Sequence, residues 1–287
     1  MNNNFFSRKG VTLIELLVVI SVIGVLAGAV VALVNPSAAL DKAKTAKGKS
    51  FQGQLTRSLG FYNIGAWNFN NASATGEDSS GTNATGTLVG GTLYTPSCDL
   101  GLGGCMSFDG TDDTISIGDI TAFKTDNKTI MFWAKPSISP TGTVIIFGNG
   151  GANYYIGLTT SNRLIVSYGR ADNTQQTLAS PNNSVDINSW HHYAFSFKVT
   201  GTDVIVTMYK DGTSIQTNSF ITGYGATYGS SFRLGGLTAG ANLYSGSLDE
   251  VYFFNQTLSQ AMIHMEYAKG IKPDLFATKI YPIASTY

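Results

Sequence analysis

Charge is scarce in this chain. Only 13% of its 287 residues are Asp, Glu, Lys or Arg, and 18 basic residues balance 18 acidic ones. That balance makes no basic field of the kind that draws nucleic acid. Glutamate is rarer still, standing only at Glu15, Glu77, Glu250 and Glu266. None lies in a Glu-x-Asp-x-x-Glu or similar run that brings two carboxyls to the ~5 Å a retaining glycosidase requires. Asp249 and Glu250 are adjacent, so a regular strand sends them to opposite faces. No enzyme is expected. Histidine occurs three times. His191 and His192 are neighbours, and neighbours on a strand cannot share one metal or acid–base site, so a structural role is expected for both. The two cysteines, Cys98 and Cys105, are too few for a disulfide-dense scaffold. In an exported protein such a close pair reads as a local disulfide; otherwise it is two free thiols.

What the chain does have is one long apolar run. Val11 to Val34 is apolar apart from Thr12, Glu15 and Ser21, and it follows a polar leader ending in Arg8-Lys9-Gly10. As a helix of 24 residues it spans ~36 Å, enough to cross a bilayer with some tilt. A secretory signal peptide has a shorter core and a small-residue cleavage site after it; here the run meets Asn35-Pro36 instead. A plain anchor needs no acid near its start. An ionisable residue in such a run is expensive and points to function.

The stretch Lys9-Gly10-Val11-Thr12-Leu13-Ile14-Glu15-Leu16-Leu17-Val18-Val19-Ile20 resembles the class III signal of type IV pilins and type II secretion pseudopilins. The resemblance implies that a prepilin peptidase cuts between Gly10 and Val11 and N-methylates Val11. It makes Glu15 the fifth mature residue, the family's glutamate. Val11 stands where the family usually has Phe. The expected role of Glu15 is assembly: its carboxylate meets the Val11 ammonium of another subunit and sets the register between parallel helices. A positive-inside count, Arg8 and Lys9 against Lys42, Lys44, Lys47 and Lys49, puts the C-terminal side in the cytoplasm; the resemblance puts it outside.

Pro36 predicts a bend, after which Leu40, Ala43, Ala46, Phe51, Leu55, Leu59 and Tyr62 fall near one helix face. The expected division is a leader at 1–10, a helix at 11–61 with its membrane part at 11–34, a β domain at 66–269 and a tail at 270–287. From Ala66 onwards short apolar alternations lie between Gly, Asn, Thr and Ser turns, which reads as two packed antiparallel sheets. Strands are expected at 66–69, 106–109, 114–117, 129–134, 144–147, 154–158, 164–168, 192–197, 204–209, 214–220, 231–234 and 248–254. Asp211-Gly212 marks a hairpin, and Ser259 caps a helix from Gln260 to about Ala268.

Met106-Ser107-Phe108-Asp109-Gly110-Thr111-Asp112-Asp113, Ile130-Met131-Phe132-Trp133, Trp190-His191-His192-Tyr193, Tyr209-Lys210-Asp211-Gly212 and Gly246-Ser247-Leu248-Asp249-Glu250-Val251 resemble, in order, the laminin-G-like, concanavalin A-like jelly rolls. The fold class is therefore α+β: a long N-terminal transmembrane or filament helix, then an all-β two-sheet jelly roll. The resemblance implies a structural Ca²⁺ held by Asp78, Asp249 and carbonyls of the 80–86 loop; the alternative is that both aspartates cap turns. Tyr154, Tyr155, Tyr168, Tyr224, Tyr228 and Tyr244 either stack on sugars or fill the core, while Trp67, Trp133 and Trp190 are expected in the core.

The expected function is that of a minor pilin or pseudopilin, anchored by one pass in the inner membrane as a prepilin and then displayed on an extracellular filament at the cell surface. Its partners are the prepilin peptidase and other pilin subunits. The alternative is an adhesin whose jelly roll binds carbohydrate or a surface protein.

Overall fold

The computed structural model describes residues 11–33, 59–99, 101–149, 154–169, 175–201, 203–220, 231–237 and 242–271, with side chains in the first segment as far as Val25. Gly10, the expected bend at Pro36, the helix expected through 37–58, Tyr224, Tyr228 and nearly all of the 270–287 tail lie outside the described residues. The chain divides into two compact units, meeting between Arg57 and Ser58.

In the first unit, α1 runs Leu13–Leu33, 21 residues or ~32 Å of helix. Thr12 and Glu15 form a capping box. The Glu15 amide donates to Thr12 Oγ1 at 3.3 Å, and the Thr12 amide donates to Glu15 Oε2 at 2.8 Å. The described apolar side chains, from Leu13 to Val25, are exposed all round the helix. Among the described residues no helix is long and apolar enough to cross a membrane, side-chain description of α1 ending at Val25.

The second unit is a two-sheet sandwich. An eight-stranded sheet (sheet A) contains β1 (Asn63–Trp67), β3 (Leu93–Thr95), β4 (Cys105–Asp109), β6 (Lys128–Pro136), β11 (His191–Thr200), β12 (Asp203–Lys210), β13 (Thr213–Phe220) and β15 (Ser245–Phe254). Its order is β13-β12-β11-β6-β15-β4-β3, with β1 also on β15. A seven-stranded sheet (sheet B) contains β2 (Thr87–Val89), β5 (Thr114–Gly118), β7 (Val144–Asn149), β8 (Tyr154–Thr159), β9 (Arg163–Gly169), β10 (Gln175–Ala179) and β14 (Phe232–Leu234), in the order β10-β9-β8-β7-β14-β5-β2. All pairings are antiparallel.

Alternation builds the core. Phe132, Phe195, Phe197, Phe253, Leu248 and Val251 of sheet A meet Phe147, Ile156, Val166, Phe232 and Ile115 of sheet B in one apolar cluster. A second, smaller cluster lies on the other side of sheet A, where Met131, Ala194, Tyr209 and Phe254 meet Ile263 of helix α2 (Gln260–Ile271). Ser259 starts α2 as expected, its hydroxyl accepting from the Met262 amide at 3.4 Å. Gly270 is forced by this contact, since a Cβ there would lie 2.4 Å from the Trp133 ring. The hairpin at Asp211-Gly212 has φ of 50° and 74°, the two left-handed residues of a type I′ turn.

Three expectations change. The first strand begins at Asn63 rather than Ala66 and stops before Phe69, whose φ is 50°. Strands β2, β3 and β10 were not expected: two have three residues, too short to alternate, and β10 opens on Gln175-Gln176. Trp67 and Trp133 are core residues, but Trp190 is only half-buried.

Candidate functional site

The expected metal ligands sit on the sheet A side, near β1 and β15. Asp78 follows the first strand and holds its loop onto that strand. Its Oδ1 accepts from the amides of Ala66 (2.9 Å) and Ser80 (3.0 Å). Its Oδ2 accepts from the Ser80 hydroxyl (2.9 Å), the Thr82 hydroxyl (3.0 Å) and the Ala84 amide (2.9 Å). Five donors fill the roughly four lone-pair sites of a carboxylate. Burial opposes ionisation, but these donors outweigh it and hold the pKa below the usual value. Asp78 is thus a loop anchor, with no lone pair directed at a cation.

Asp249 is different. It is fully buried, its Oδ1 accepts only from the Glu250 amide at 2.7 Å, and its Oδ2 has no hydrogen-bond partner. Burial, with the charge of Glu250 added, pushes its pKa up to about 8. An orphaned buried carboxylate oxygen fits a cation; a five-bonded one does not. Of the expected pair, Asp249 alone keeps an oxygen open to a cation, one of the six to eight that Ca²⁺ takes.

The strand at this point also departs from regular alternation. Leu248 and Val251 both face the main core, and the register with β6 shifts between Asp249 and Tyr252. One extra residue is accommodated, with Glu250 at φ 47°. Asp249 and Glu250 consequently share the outward face, correcting the expectation that they point opposite ways. Glu250 is held by the Tyr252 hydroxyl, and burial raises its pKa, with Glu266 of α2 adding to the effect. Sequence spacing could not reveal this pair, because it exists only through the bulge.

A second acidic group was missed. Asp109, Asp112 and Asp113, in the β4–β5 turn, bring three carboxylates within 4.8 Å of one another. The buried member, Asp113, accepts from the amides of Gly91 (2.6 Å) and Asp109 (2.9 Å), so it ties the turn together.

His191 and His192 do not converge on one site. His191 lies between two carboxylates, Nδ1 to Asp211 at 2.7 Å and Nε2 to Asp186 at 3.0 Å, and Lys210 also reaches Asp186 at 2.6 Å. His192 is buried between Trp133 and Tyr267, at centroid distances of 5.5 and 6.1 Å. Burial lowers its pKa to about 4. Cys98 and Cys105 form a disulfide, closing the loop between β3 and β4.

Of the tyrosines, Tyr154, Tyr168 and Tyr244 are core residues, whereas Tyr155 is half-buried and turned away from the core. Tyr154, Tyr168 and Phe197 surround the fully buried Lys128, whose Nζ lies 4.3 Å from the Tyr154 ring centroid and donates to the Thr125 carbonyl at 2.9 Å. Desolvation lowers the Lys128 pKa well below its usual value.

Comparison with known families gives two matches. Residues 109–264 match the concanavalin A-like lectin/glucanases superfamily, and residues 6–31 match the prokaryotic N-terminal methylation motif. No curated protein matches. Among solved structures, the binding domain of Paraclostridial mosquitocidal protein 1 superposes with a TM-score of 0.58 at 15% identity, over 73% of this chain and 52% of that one. The receptor-binding domain of botulinum neurotoxin C/D mosaic serotype gives 0.61 at 14% identity, over 73% and 52%. Domain 4 of AbnA, an extracellular arabinanase of Geobacillus stearothermophilus solved with arabinotriose, gives 0.54 at 19% identity, over 71% of this chain and 97% of that one. The chain thus spans about half the length of the two toxin domains and nearly all of the arabinanase domain. At these identities the likeness is one of fold.

Proposed function

The chain belongs to the concanavalin A-like lectin/glucanases superfamily, and from that premise we propose that it is a prepilin-type filament subunit, a minor pilin or pseudopilin, that carries its jelly roll as a displayed binding head. The observation that carries this reading is the coincidence of the methylation motif at 6–31 with α1. That helix is apolar on every described side and has its one acid in its first turn. A helix hydrophobic all round belongs in lipid or in a bundle of other helices. The prepilin peptidase cuts after Gly10 and methylates Val11. The helix then passes from a single-pass position in the inner membrane to the filament core, and Glu15 faces the Val11 ammonium of a neighbouring subunit.

The reading of the head as a binding module rests on its match to lectin-like and binding domains. The Asp249–Glu250 pair lies on the face of sheet A that carries α2, and Tyr252 holds Glu250. Carbohydrate or a surface protein is the partner class, and the adhesin reading draws support from the arabinotriose bound to the arabinanase domain of the same fold. Mass spectrometry of the native N-terminus, with electron microscopy of labelled cell filaments, tests the subunit reading. A chain starting at methylated Val11 and labelled filaments are expected. An uncleaved leader, or label confined to the membrane, overturns it.

A further inference from the structure

Sheets A and B differ in charge. The strands of sheet A hold Asp109, Asp203, Asp249 and Glu250 together with four lysines. The seven strands of sheet B hold no Asp, Glu or Lys, and their charged residues are Arg163 and Arg233. Both arginines fall at outward positions, since Leu164, Leu234 and Phe232 beside them face the core. Both are half-buried. Arg233 donates to Thr114 Oγ1 at 3.2 Å and Arg163 to the Ser180 carbonyl at 2.8 Å. Among the described residues no carboxylate pairs with either.

The outward face of sheet B is also organised across the strands. Successive pairings place Ser167 opposite Tyr155, Tyr155 opposite Gly148, Gly148 opposite Arg233, Arg233 opposite Ser116, and Ser116 opposite Thr87. One row thus crosses the sheet, with Thr87, Ser116, Arg233 and Tyr155 at least partly exposed and Ser167 buried and bonded to the Thr177 hydroxyl at 3.2 Å. At its middle, glycine is required: a Cβ on Gly148 would lie 2.7 Å from Leu237 Cδ2 and 2.9 Å from Tyr155 Cβ. Leu237, itself buried, therefore packs onto Gly148.

We propose that this row binds an acidic polysaccharide, Arg233 receiving the carboxylate of a uronic acid residue. A guanidinium presents a planar fork that fits a carboxylate in two-point contact. The C–H face of the same sugar lies against the half-exposed Tyr155, and Ser116 and Thr87 offer hydroxyls to the next residue. Strand spacing and rise place Arg163 roughly 20 Å from Arg233 on the same face, so a chain of several charged residues meets a cation again. Seven strands that carry two arginines and, among the described residues, no Asp or Glu are complementary to a polyanion. The inference rests on the reading of the jelly roll as a displayed binding head.

The test is calorimetric titration of the full-length protein in detergent with trigalacturonate, and with its fully methyl-esterified, uncharged form. Saturable binding of the acid form is expected, at least tenfold tighter than the ester and weakened at least tenfold by R233Q, with the melting curve unchanged. R233K keeps the charge and loses the fork, and a severalfold loss is expected there. It also serves as the deciding variant if R233Q alters the melting curve. The lysines at 42–49 are untouched in both variants, so diffuse attraction to them leaves both variants binding as wild type. That result, or equal binding of acid and ester, or no binding of either, overturns the proposal. Methylated Val11 and labelled filaments alongside any of these results leave the subunit reading standing.

Discussion

Glu250 shares the outward face of β15 with Asp249, the residue before it, because one bulge admits both between Leu248 and Val251. Asp249 keeps an orphaned oxygen and a pKa of about 8. His192, on the neighbouring part of sheet A, has its pKa lowered to about 4. These two buried groups give opposite pH dependences.

Without a cation, folded Asp249 stays protonated up to about pH 8, while the unfolded chain ionises it above its ordinary value of 3.8. Its contribution to stability is whole below pH 4 and is lost as pH rises to 8, by on the order of 4 kcal/mol at pH 7. Folded His192 stays neutral, while the unfolded chain protonates below 6.5. Its contribution is whole above pH 6.5 and is lost as pH falls to 4, by on the order of 3 kcal/mol. Between pH 4 and 6.5 the two slopes oppose each other. Chemical denaturation across pH is therefore expected to show a nearly level wild type there. D249N is expected to lose stability on acidification, and H192Q on alkalinisation. Parallel profiles for all three contradict the assignment.

A cation beside Asp249 reverses the alkaline loss. At pH 7, millimolar Ca²⁺ is expected to raise the wild-type melting temperature and EDTA to lower it, with neither effect in D249N. A melting temperature that ignores both means that Asp249 takes no Ca²⁺.

Asp78 is expected to matter regardless of calcium. D78A leaves the amides of Ala66, Ser80 and Ala84 without their acceptor, at a cost of about 3 kcal/mol. That loss is expected to be equal with Ca²⁺ and with EDTA. A loss seen only with Ca²⁺ makes Asp78 a ligand.

At the N-terminus, E15A is expected to leave export and cleavage intact and to abolish filaments by electron microscopy. T12V removes only the hydroxyl half of the capping box. It is expected to lower the helicity of a peptide spanning residues 11–25 while filaments persist. Normal filaments from E15A sink the assembly role.

Lys128 offers a test of the core. Surrounded by Tyr154, Tyr168 and Phe197, it is isosteric enough with Met that K128M is expected to change stability by less than about 1.5 kcal/mol in either direction. A larger loss shows that the ammonium, not the stem, holds this end of the sandwich.

The main features of the fold were legible because they rest on alternation. Ile130, Phe132 and Ala134 face the core and Met131 and Trp133 face the α2 side, a period of two that any reading of 128–136 finds. What alternation could not carry was the exception at Asp249-Glu250, where a single extra residue turned two opposed carboxyls into neighbours. Asp78 is legible through the jelly-roll resemblance, but which of its two roles it plays depends on the amides of Ala66 and Ala84, which only the folded loop brings to it. The Thr12-x-x-Glu15 capping box is legible in the spacing as well, beside the assembly role expected of Glu15. The row through Arg233 was not readable at all, since its members come from strands whose order in the sheet is not their order in the chain.

The two sheets end on one side in β2 and β3, three residues each and joined through Gly90-Gly91, with β3 tied to β4 by the disulfide. Long open edges are templates for pairing with another chain, and short ones are not. Heads held side by side along a fibre meet each other at local concentrations far above those of free protein. A sandwich blunted on that side offers its neighbours no long edge there to zip onto.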